Sequence, residues 1–592
     1  YQKDNRNNIN TTLRLNYDLS SLLTKGLSVH GSIAYDSYYY SRKKYSKTFP
    51  YYLARRDAED PDYIYLIPQS EESIWSVSTG WDKNRKVYME FGIDYNRTFG
   101  LHKTTALILY NQSKYYSPSL QYYVPNAYQG LVGRLTYEYA SRYLAEFNMG
   151  YNGTENFAKG KRFGFFPAVS LGWVISEEKF FPKNNIVKYL KVRGSYGEVG
   201  NDQIGGDRFL YLPSSYGAAS DSGVNKYNFG LASNPYTSLM IVENKIGNPD
   251  LTWEKAKKMN VGVDINLFNN CLTASFDIFK EKRNNILANR STSPMIIGAN
   301  LPAYNFGEME NRGWEMDLNF RHHIQDFHYW ARFNYSFARN EIIYMDEVQK
   351  RYDYQMTTGR RKNQFFGLIF DGYYNSWEEI NALDRPKSSW SGNQLQPGDV
   401  KYGDDNQDGV IDDYDMVPIG YTPVPEIIYG FSFGAQYKGF DFSILFQGAD
   451  NVSIKYFGRS MWPFAKGEES AKSLIKERWT QERYEAGEKI TFPRLSLNPN
   501  GETDHNYRPS TLWIRDASYL RLKNLEVGYT FTGGFVKRLN LNSVRLYFNG
   551  SNLFTWTDVV DLDPEAPSRS GNVEINTYPL QKVYNIGLNI NF

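Results

Sequence analysis

The sequence predicts an all-β protein, a transmembrane antiparallel β-barrel with short turns at one edge and long loops at the other. Three observations point there. Apolar and polar residues alternate with a period of two from one end of the chain to the other. The alternating segments reach about ten residues, the length of a strand tilted through a bilayer. The chain is rich in aromatics yet has no apolar run long enough for a membrane helix, which takes about 20 residues.

The alternation can be followed in order. In "TLRLNYD", Leu13, Leu15 and Tyr17 alternate with Arg14 and Asn16, and Leu27, Val29, Ile33 and Tyr35 repeat the pattern against Ser28, His30, Ser32 and Asp36. The most apolar window, "FGFFPAVSLGWVI" at 163–175, is broken by Pro167 and Ser170. "MNVGVDINLFNNCLTASFDIF" predicts a hairpin. Val261, Val263, Ile265 and Leu267 point one way, Asn269-Asn270 turns the chain, and Leu272, Ala274, Phe276 and Ile278 return on the same side. Phe327, Tyr329, Ala331, Phe333, Tyr335 and Phe337 oppose His328, Arg332, Asn334 and Ser336. A second hairpin is centred on Lys438-Gly439. The polar sides mix Asn, Ser, Thr, Gly, Asp and Arg, which suits a wet lumen. A β-sandwich also alternates, but its strands run only about five or six residues. Long connections, such as 202–245 and 376–425, alternate with the short turns. A short loop helix is expected within 468–487, and no linker divides the chain.

Composition fits. The chain has 592 residues and a net charge of +2 from 67 basic and 65 acidic groups, so no electrostatic case for nucleic acid arises. Aromatics make up 17% and tyrosine alone 50 residues, while mean hydropathy is −0.58. Such amphipathic rings favour membrane interfaces. The single cysteine, Cys271, excludes a disulfide framework and a thiolate zinc cluster. The opening residues, YQKDNRNNIN, hold no signal peptide, so a start partway along a longer protein is expected.

The run "YGDDNQDGVIDDYD" at 402–415 carries oxygen donors in the order of an EF-hand-type loop. Asp404, Asn406 and Asp408 stand at alternate positions and Gly409 permits the turn. Val410 offers its carbonyl, Asp412 acts directly or through water, and Asp415 closes the set. Ca²⁺, or Mg²⁺ in its place, is the expected ligand, and Ile411 is expected to anchor the loop in apolar surroundings. Without flanking helices no calcium-sensor transition follows. The alternative is a solvated acidic turn with no ion.

Other candidates are weaker. Glu177-Glu178 and Glu378-Glu379, taken as strand neighbours, would diverge rather than form an acid–base pair. His322-His323 would diverge likewise. "SRKKYSK" (41–47) and "GRRKN" (359–363) suit lipopolysaccharide phosphates or simple solvation better than nucleic acid. Tyr373, Tyr374 and Trp377 in 367–380, and Tyr456, Phe457, Trp462 and Phe464 in 451–464, offer rings for a sugar or peptide, with lipid contact or loop packing the competing roles. There is no H-E-x-x-H or P-loop, and an enzyme is not expected.

The chain ends "VYNIGLNINF", with Tyr584, Ile586, Leu588, Ile590 and Phe592 on one face. This is similar to the assembly signal of Gram-negative outer-membrane barrels. "RFGFFPAVSLGWVISEEKFF" (162–181), "LKVRGSYGEVGN" (190–201), "GNPDLTWEKAKKMNVGVDI" (247–265), "NRGWEMDL" (311–318), "PGDVKYGDDNQDGVIDDYDMVPIG" (397–420), "ASYLRLKNLEVGYTF" (517–531) and "NGSNLFTWTD" (549–558) follow one another. In that order they resemble the SusC/RagA-type TonB-dependent outer-membrane transporters of the Bacteroidota, from about residue 130 onward. The resemblance implies a 22-stranded barrel around an N-terminal plug, with a TonB-contacting peptide before it and a SusD-like surface lipoprotein over the extracellular mouth. About 16 to 18 strands are expected in this chain, with residues 1–592 forming a barrel domain incomplete at its N-terminal side and the plug absent. The expected function is TonB-dependent import of glycans, or of oligopeptides. A secreted calcium-binding all-β adhesin or carbohydrate-binding module is the alternative from another class.

Overall fold

The computed structural model describes residues 1–592 apart from 57–58, 61, 121–122, 204–207, 214–216, 219–225, 232–235, 240, 243–245, 293–300, 391–394, 457–461, 465–472, 497–503, 561, 566–571 and 574–579. The chain divides into two compact units. One comprises Tyr1–Ala140, Leu144–Val169 and Gly200–Trp253; the other comprises Ser141–Tyr143, Ser170–Val199 and Glu254–Phe592. Among the described residues seventeen strands have nine or more residues, within the expected number. They run from 9 to 24 residues. The expected length of about ten was therefore too short, because many strands continue past the apolar band.

The first unit opens on a meander. Strands β1 (Gln2–Asp18), β2 (Leu27–Ser46), β3 (Ser76–Phe99), β4 (His102–Tyr116) and β5 (Asn126–Tyr139) pair antiparallel in chain order. Their register aligns Leu13 with Ile33, Ile33 with Met89, and Phe91 with Tyr110. One face is thus apolar in row after row. Among the described residues nothing in the unit covers it: Leu15, Ile33, Phe91 and Ile108 are exposed. The opposite face carries His30 against Asp94 and Tyr88 against Glu90. Strands β6 (Tyr143–Thr154) and β7 (Phe163–Val174) each contribute to both units.

The second unit contains most of β8 (Val187–Asn201), then β9 (Glu254–Leu267), β10 (Leu272–Ala288), β11 (Tyr304–Ile324), β12 (Phe327–Tyr344), β13 (Ile427–Tyr437), β14 (Phe440–Asp450), β15 (Tyr519–Phe531), β16 (Ser543–Thr557) and β17 (Val583–Asn591). From β9 to β17 each pairs antiparallel with the next. The β9–β10 hairpin has the anticipated register, Val261 opposite Ile278 and Leu267 opposite Leu272. Phe268, Asn269 and Asn270 turn it with positive φ, a conformation asparagine tolerates. Lys438 and Gly439 make a two-residue turn, both at positive φ, as a type I′ hairpin requires.

Val261 is 56% exposed, and no second sheet lies over it among the described residues. The polar face is tied by charge. Arg193 on β8 reaches Asp277 at 2.6 Å and Asp264 at 3.1 Å, while Arg545 on β16 holds Asp441 and Glu526 on β14 and β15, each at 2.6 Å. An apolar sheet face this large is unfavourable in water and stable against lipid, whereas the ion-paired face tolerates a wet interior. The packed core lies not between sheets but in the connections.

Candidate functional site

Three connections of the second unit, 345–426, 451–518 and 558–582, leave strands at the same edge and fold together. Their core gathers Leu368, Val400, Tyr402, Ile411, Tyr456 and Trp513 with further aromatic neighbours, all buried. Long loops seldom bury so much, because their backbone groups then need partners. Here short strand pairs supply them: Phe365–Gly367 with Val417–Ile419, Phe370–Tyr373 with Val400–Tyr402, and Ser453–Tyr456 with Ile514–Asp516.

A polar hub joins two of the connections. Asp399, 2% exposed, accepts from Arg494 Nε at 2.6 Å, from the Asn506 amide at 2.8 Å and from the Gln396 N–H at 2.8 Å. Asn506, fully buried, accepts from the Val400 N–H at 2.7 Å, and Trp513 donates to its carbonyl at 2.7 Å. His505 Nε2 lies 2.7 Å from the Val400 carbonyl, so it must carry the ring proton. Nδ1 then accepts from the Ser388 hydroxyl at 2.8 Å. Burial holds this imidazole's pKa below its ordinary value. Nothing in the sequence singled out this hub, since its partners lie about a hundred residues apart and only folding brings them together.

The acidic run sits on the rim of this assembly. Ile411 is 1% exposed and enters the core, as anticipated. Gly409 has φ +83° at the sharp turn. Asp404 accepts from the N–H groups of Asp408 and Gly409, Asn406 accepts from Asp408, and Asp408 accepts from Val410. Asp412 caps the short 3₁₀ turn Asp413–Asp415, and Asp415 accepts from Asn406 and Asp412. Asp415 is fully buried, and burial pushes its carboxyl above the ordinary value despite those two donors. The carbonyls of Gly409 and Ile411 accept from Lys387 and Ser389, so alternation turns the Val410 carbonyl the other way. The oxygen-only donor set suits a hard divalent cation. The side chains do not converge as they stand: among the described residues no group of three or more His, Cys, Asp or Glu is disposed to hold a metal ion. Each carboxylate oxygen bonded to one amide still has acceptor capacity, so ligation requires Asp404 and Asp408 to swing inward.

Beside the loop stands an aromatic cluster. Tyr352 and Tyr354 stack at 5.2 Å and 10°, Tyr352 meets Tyr414 edge-on at 5.9 Å, and the Arg351 guanidinium lies 5.0 Å over the Tyr414 ring. Tyr354 donates to the Tyr414 carbonyl at 2.5 Å and Gln355 to the Asp413 carbonyl at 2.7 Å. These rings, not those named from sequence, frame the acidic loop.

Of the ring candidates, Tyr373, Tyr374 and Tyr456 are buried and serve packing. Trp377 is exposed, Trp462 packs on Tyr507 at 4.7 Å, and Phe457 lies outside the described residues. The glutamate pairs are not on strands as assumed. Glu177 ends the 3₁₀ turn Ile175–Glu177, and Glu378-Glu379 lie in the helical turn Trp377–Ile380. Glu379 is engaged by Lys401 at 2.7 Å. His322-His323 lie on β11 and meet Tyr329 and His328 separately. The expected loop helix within 468–487 is two short pieces, Ser473–Glu477 and Gln481–Glu485.

A family described as "TonB dependent receptor-like, beta-barrel" matches residues 1–553. TonB-dependent receptor SusC of Bacteroides thetaiotaomicron is 28% identical over 477 residues, covering 80% of this chain and 44% of that protein. TonB-dependent receptor P3 of Formosa agariphila is 28% identical over 479 residues, covering 78% and 45%. The chain thus spans about half the length of the curated relatives it matches. Among solved structures, the RagAB peptide importer in its open-open state superposes with a TM-score of 0.73 at 20% identity, covering 100% of this chain and 61% of that one.

Proposed function

We propose that this chain, which belongs to the TonB-dependent receptor-like β-barrel family, forms the wall through which an oligomeric nutrient is actively imported. It is an outer-membrane β-barrel of SusC/RagA type, in a family of transporters rather than enzymes. That placement replaces the secreted-adhesin alternative. The single observation that carries the import reading is the two-faced sheet: apolar rows exposed on one side and ion-paired polar rows on the other.

In this reading the plug and the TonB-contacting segment belong to the remainder of the protein. TonB supplies work from the inner-membrane proton gradient, and a SusD-like surface lipoprotein closes over the connections. The cargo is an oligosaccharide, favoured by the tyrosine cluster at 352, 354 and 414, since flat rings stack on sugar faces. Deleting the gene is expected to abolish growth on one oligosaccharide of a panel and to spare growth on its monosaccharide. Loss confined to oligopeptides would replace the glycan by a peptide, and no loss on either would end the import reading.

The loop 404–415 is proposed to take Ca²⁺, or Mg²⁺, through Asp404, Asn406, Asp408, the Val410 carbonyl, Asp412 and Asp415, stiffening the rim beside Tyr414. Calorimetry on the purified protein is expected to show calcium-dependent heat that Asp404→Ala with Asp408→Ala removes. No such heat in the unmutated protein would end this proposal.

A further inference from the structure

We infer that the apolar face of β1–β4 carries a specific site for a phosphorylated outer-leaflet lipid. Its acyl chain lies in a groove between strands, and its anionic headgroup meets a cluster of unpaired cations. The inference rests on the outer-membrane placement and is indifferent to which nutrient is carried.

The groove comes first. A cavity of about 340 Å³ opens on the apolar face, walled by Leu13 and Leu15 of β1, Ile33 of β2, Met89 and Phe91 of β3, and Tyr110 of β4. It exists because Gly31 contributes no side chain to its row. A Cβ there would meet only the Glu90 carbonyl oxygen, at 3.8 Å. The walls are aliphatic and aromatic, as a hydrocarbon chain needs.

Charge supplies the second, independent observation. Strand register assigns each residue of β1–β4 to one face. Toward the edge bearing the long connection 47–75, the apolar face carries Lys3, Lys43, Lys83, Arg85 and Lys114. It carries no Asp or Glu anywhere on these four strands. Every acid of β1–β4 falls on the other face: Asp4, Asp18, Asp36, Asp82, Glu90 and Asp94. The five cations are exposed, and among the described residues none has a carboxylate partner. Arg85 instead lies 4.6 Å over Tyr116, and Lys83 lies 5.3 Å over Trp81. Of the basic run at 41–47, only Lys43 belongs to this face. Arg42 faces the other way and pairs with Asp4 at 3.2 Å, and Lys47 pairs with Glu72.

Unit 2 provides an internal contrast. On the apolar face of β10, Lys280 and Lys282 are each neutralised at 2.9 Å, by Glu310 and Glu308 of β11. The absence of such acids from the apolar face of β1–β4 leaves Lys83, Arg85 and Lys114 as a positive patch within three same-face steps of the Ile33–Met89 row, with Lys3 and Lys43 two steps farther out. Same-face residues are about 6.6 Å apart along a strand, so Lys114 stands roughly one step and Arg85 two steps above the Ile33–Met89 row. Above the apolar rows Tyr35, Tyr39 and Trp81 stand among the cations, Tyr35 in the row of Lys114 and Tyr39 in the row of Lys83, as an interfacial band facing an anionic headgroup does.

The test uses the complete protein purified from membranes in detergent. Bis-phosphorylated lipid A, its dephosphorylated form and phosphatidylcholine are titrated, and bound lipid is counted by native mass spectrometry. The unmutated protein is expected to bind bis-phosphorylated lipid A in preference to the other two. Lys83→Gln, Arg85→Gln and Lys114→Gln together are expected to weaken it roughly a hundredfold, at about fivefold per cation. Lys86→Gln, on the opposite face, is expected to change nothing. Gly31→Val fills the groove and is expected to weaken lipid A without affecting the cations. Equal binding of the dephosphorylated lipid by the unmutated protein would overturn the proposal, and that arm needs no variant to fold. Unchanged binding in the triple variant would overturn it too. So would full competition by millimolar inorganic phosphate, which would mark an anion site rather than a lipid site.

Discussion

Asp399→Ala is expected to open the loop assembly of the second unit while the strands remain intact. Arg494, Asn506 and the Gln396 N–H all point at the Asp399 carboxylate, which is 2% exposed. Removing it leaves a largely buried guanidinium without its counter-charge, a change that costs about 3–5 kcal/mol. The readout is limited proteolysis. New cleavage is expected within 345–426 and 451–518, with the heat-modifiable migration of the folded barrel unchanged. Asp399→Leu combined with Arg494→Met removes the uncompensated charge and is expected to restore part of the protection, the Asn506 amide and the Gln396 N–H still lacking their acceptor. If Asp399→Ala left proteolysis unchanged, the hub would not hold the assembly. Acid should act on the same hub. His505 is neutral in the fold and its pKa is depressed by burial. Its contribution is therefore complete above the unfolded value of about 6.5 and is lost as pH falls toward the lower folded value. Loop cleavage in the unmutated protein should rise as pH drops below about 6.5.

Val261→Arg is expected to block assembly into the outer membrane, whereas Asn260→Arg should be tolerated. The two residues are adjacent on β9 and point to opposite faces. Val261 is exposed on the apolar face, where an arginine near mid-bilayer costs about 2–4 kcal/mol. Asn260 shares its face with Arg193, whose Nη1 lies 3.4 Å from the Asn260 side-chain oxygen, so a longer polar chain there meets other polar groups. Heat-modifiable migration of the membrane fraction measures folded protein for both. Equal loss from the two substitutions would mean that the faces do not differ in environment.

The strands were legible because their signal is local. A period of two needs only neighbouring residues, and Val261 to Leu267 with Leu272 to Ile278 fixed both faces and the register of β9 and β10. Strand ends were less legible. β3 continues through Trp81, Lys83 and Arg85, beyond the apolar rows that reveal it, because backbone pairing persists in water where apolar alternation is no longer required. The acidic loop was legible as a donor order, and Ile411 as its anchor, because both depend on spacing within twelve residues. Where its carboxylates point was not, since Asp404 and Asp408 are turned onto backbone amides only once the loop has closed.

By itself the sequence determined that this chain forms long, two-faced antiparallel strands joined by alternating short and long connections, of the kind TonB-dependent receptors share. The physical reason is that alternation and turn chemistry act between near neighbours. Only the tertiary structure decided which loop residues make a core, why Tyr373, Tyr374 and Tyr456 are structural, and how Asp399, Arg494, His505 and Asn506 meet. It also decided that the cations of β1–β4 stand together without acids, because strand pairing alone brings Lys3, Lys43, Lys83, Arg85 and Lys114 onto one surface.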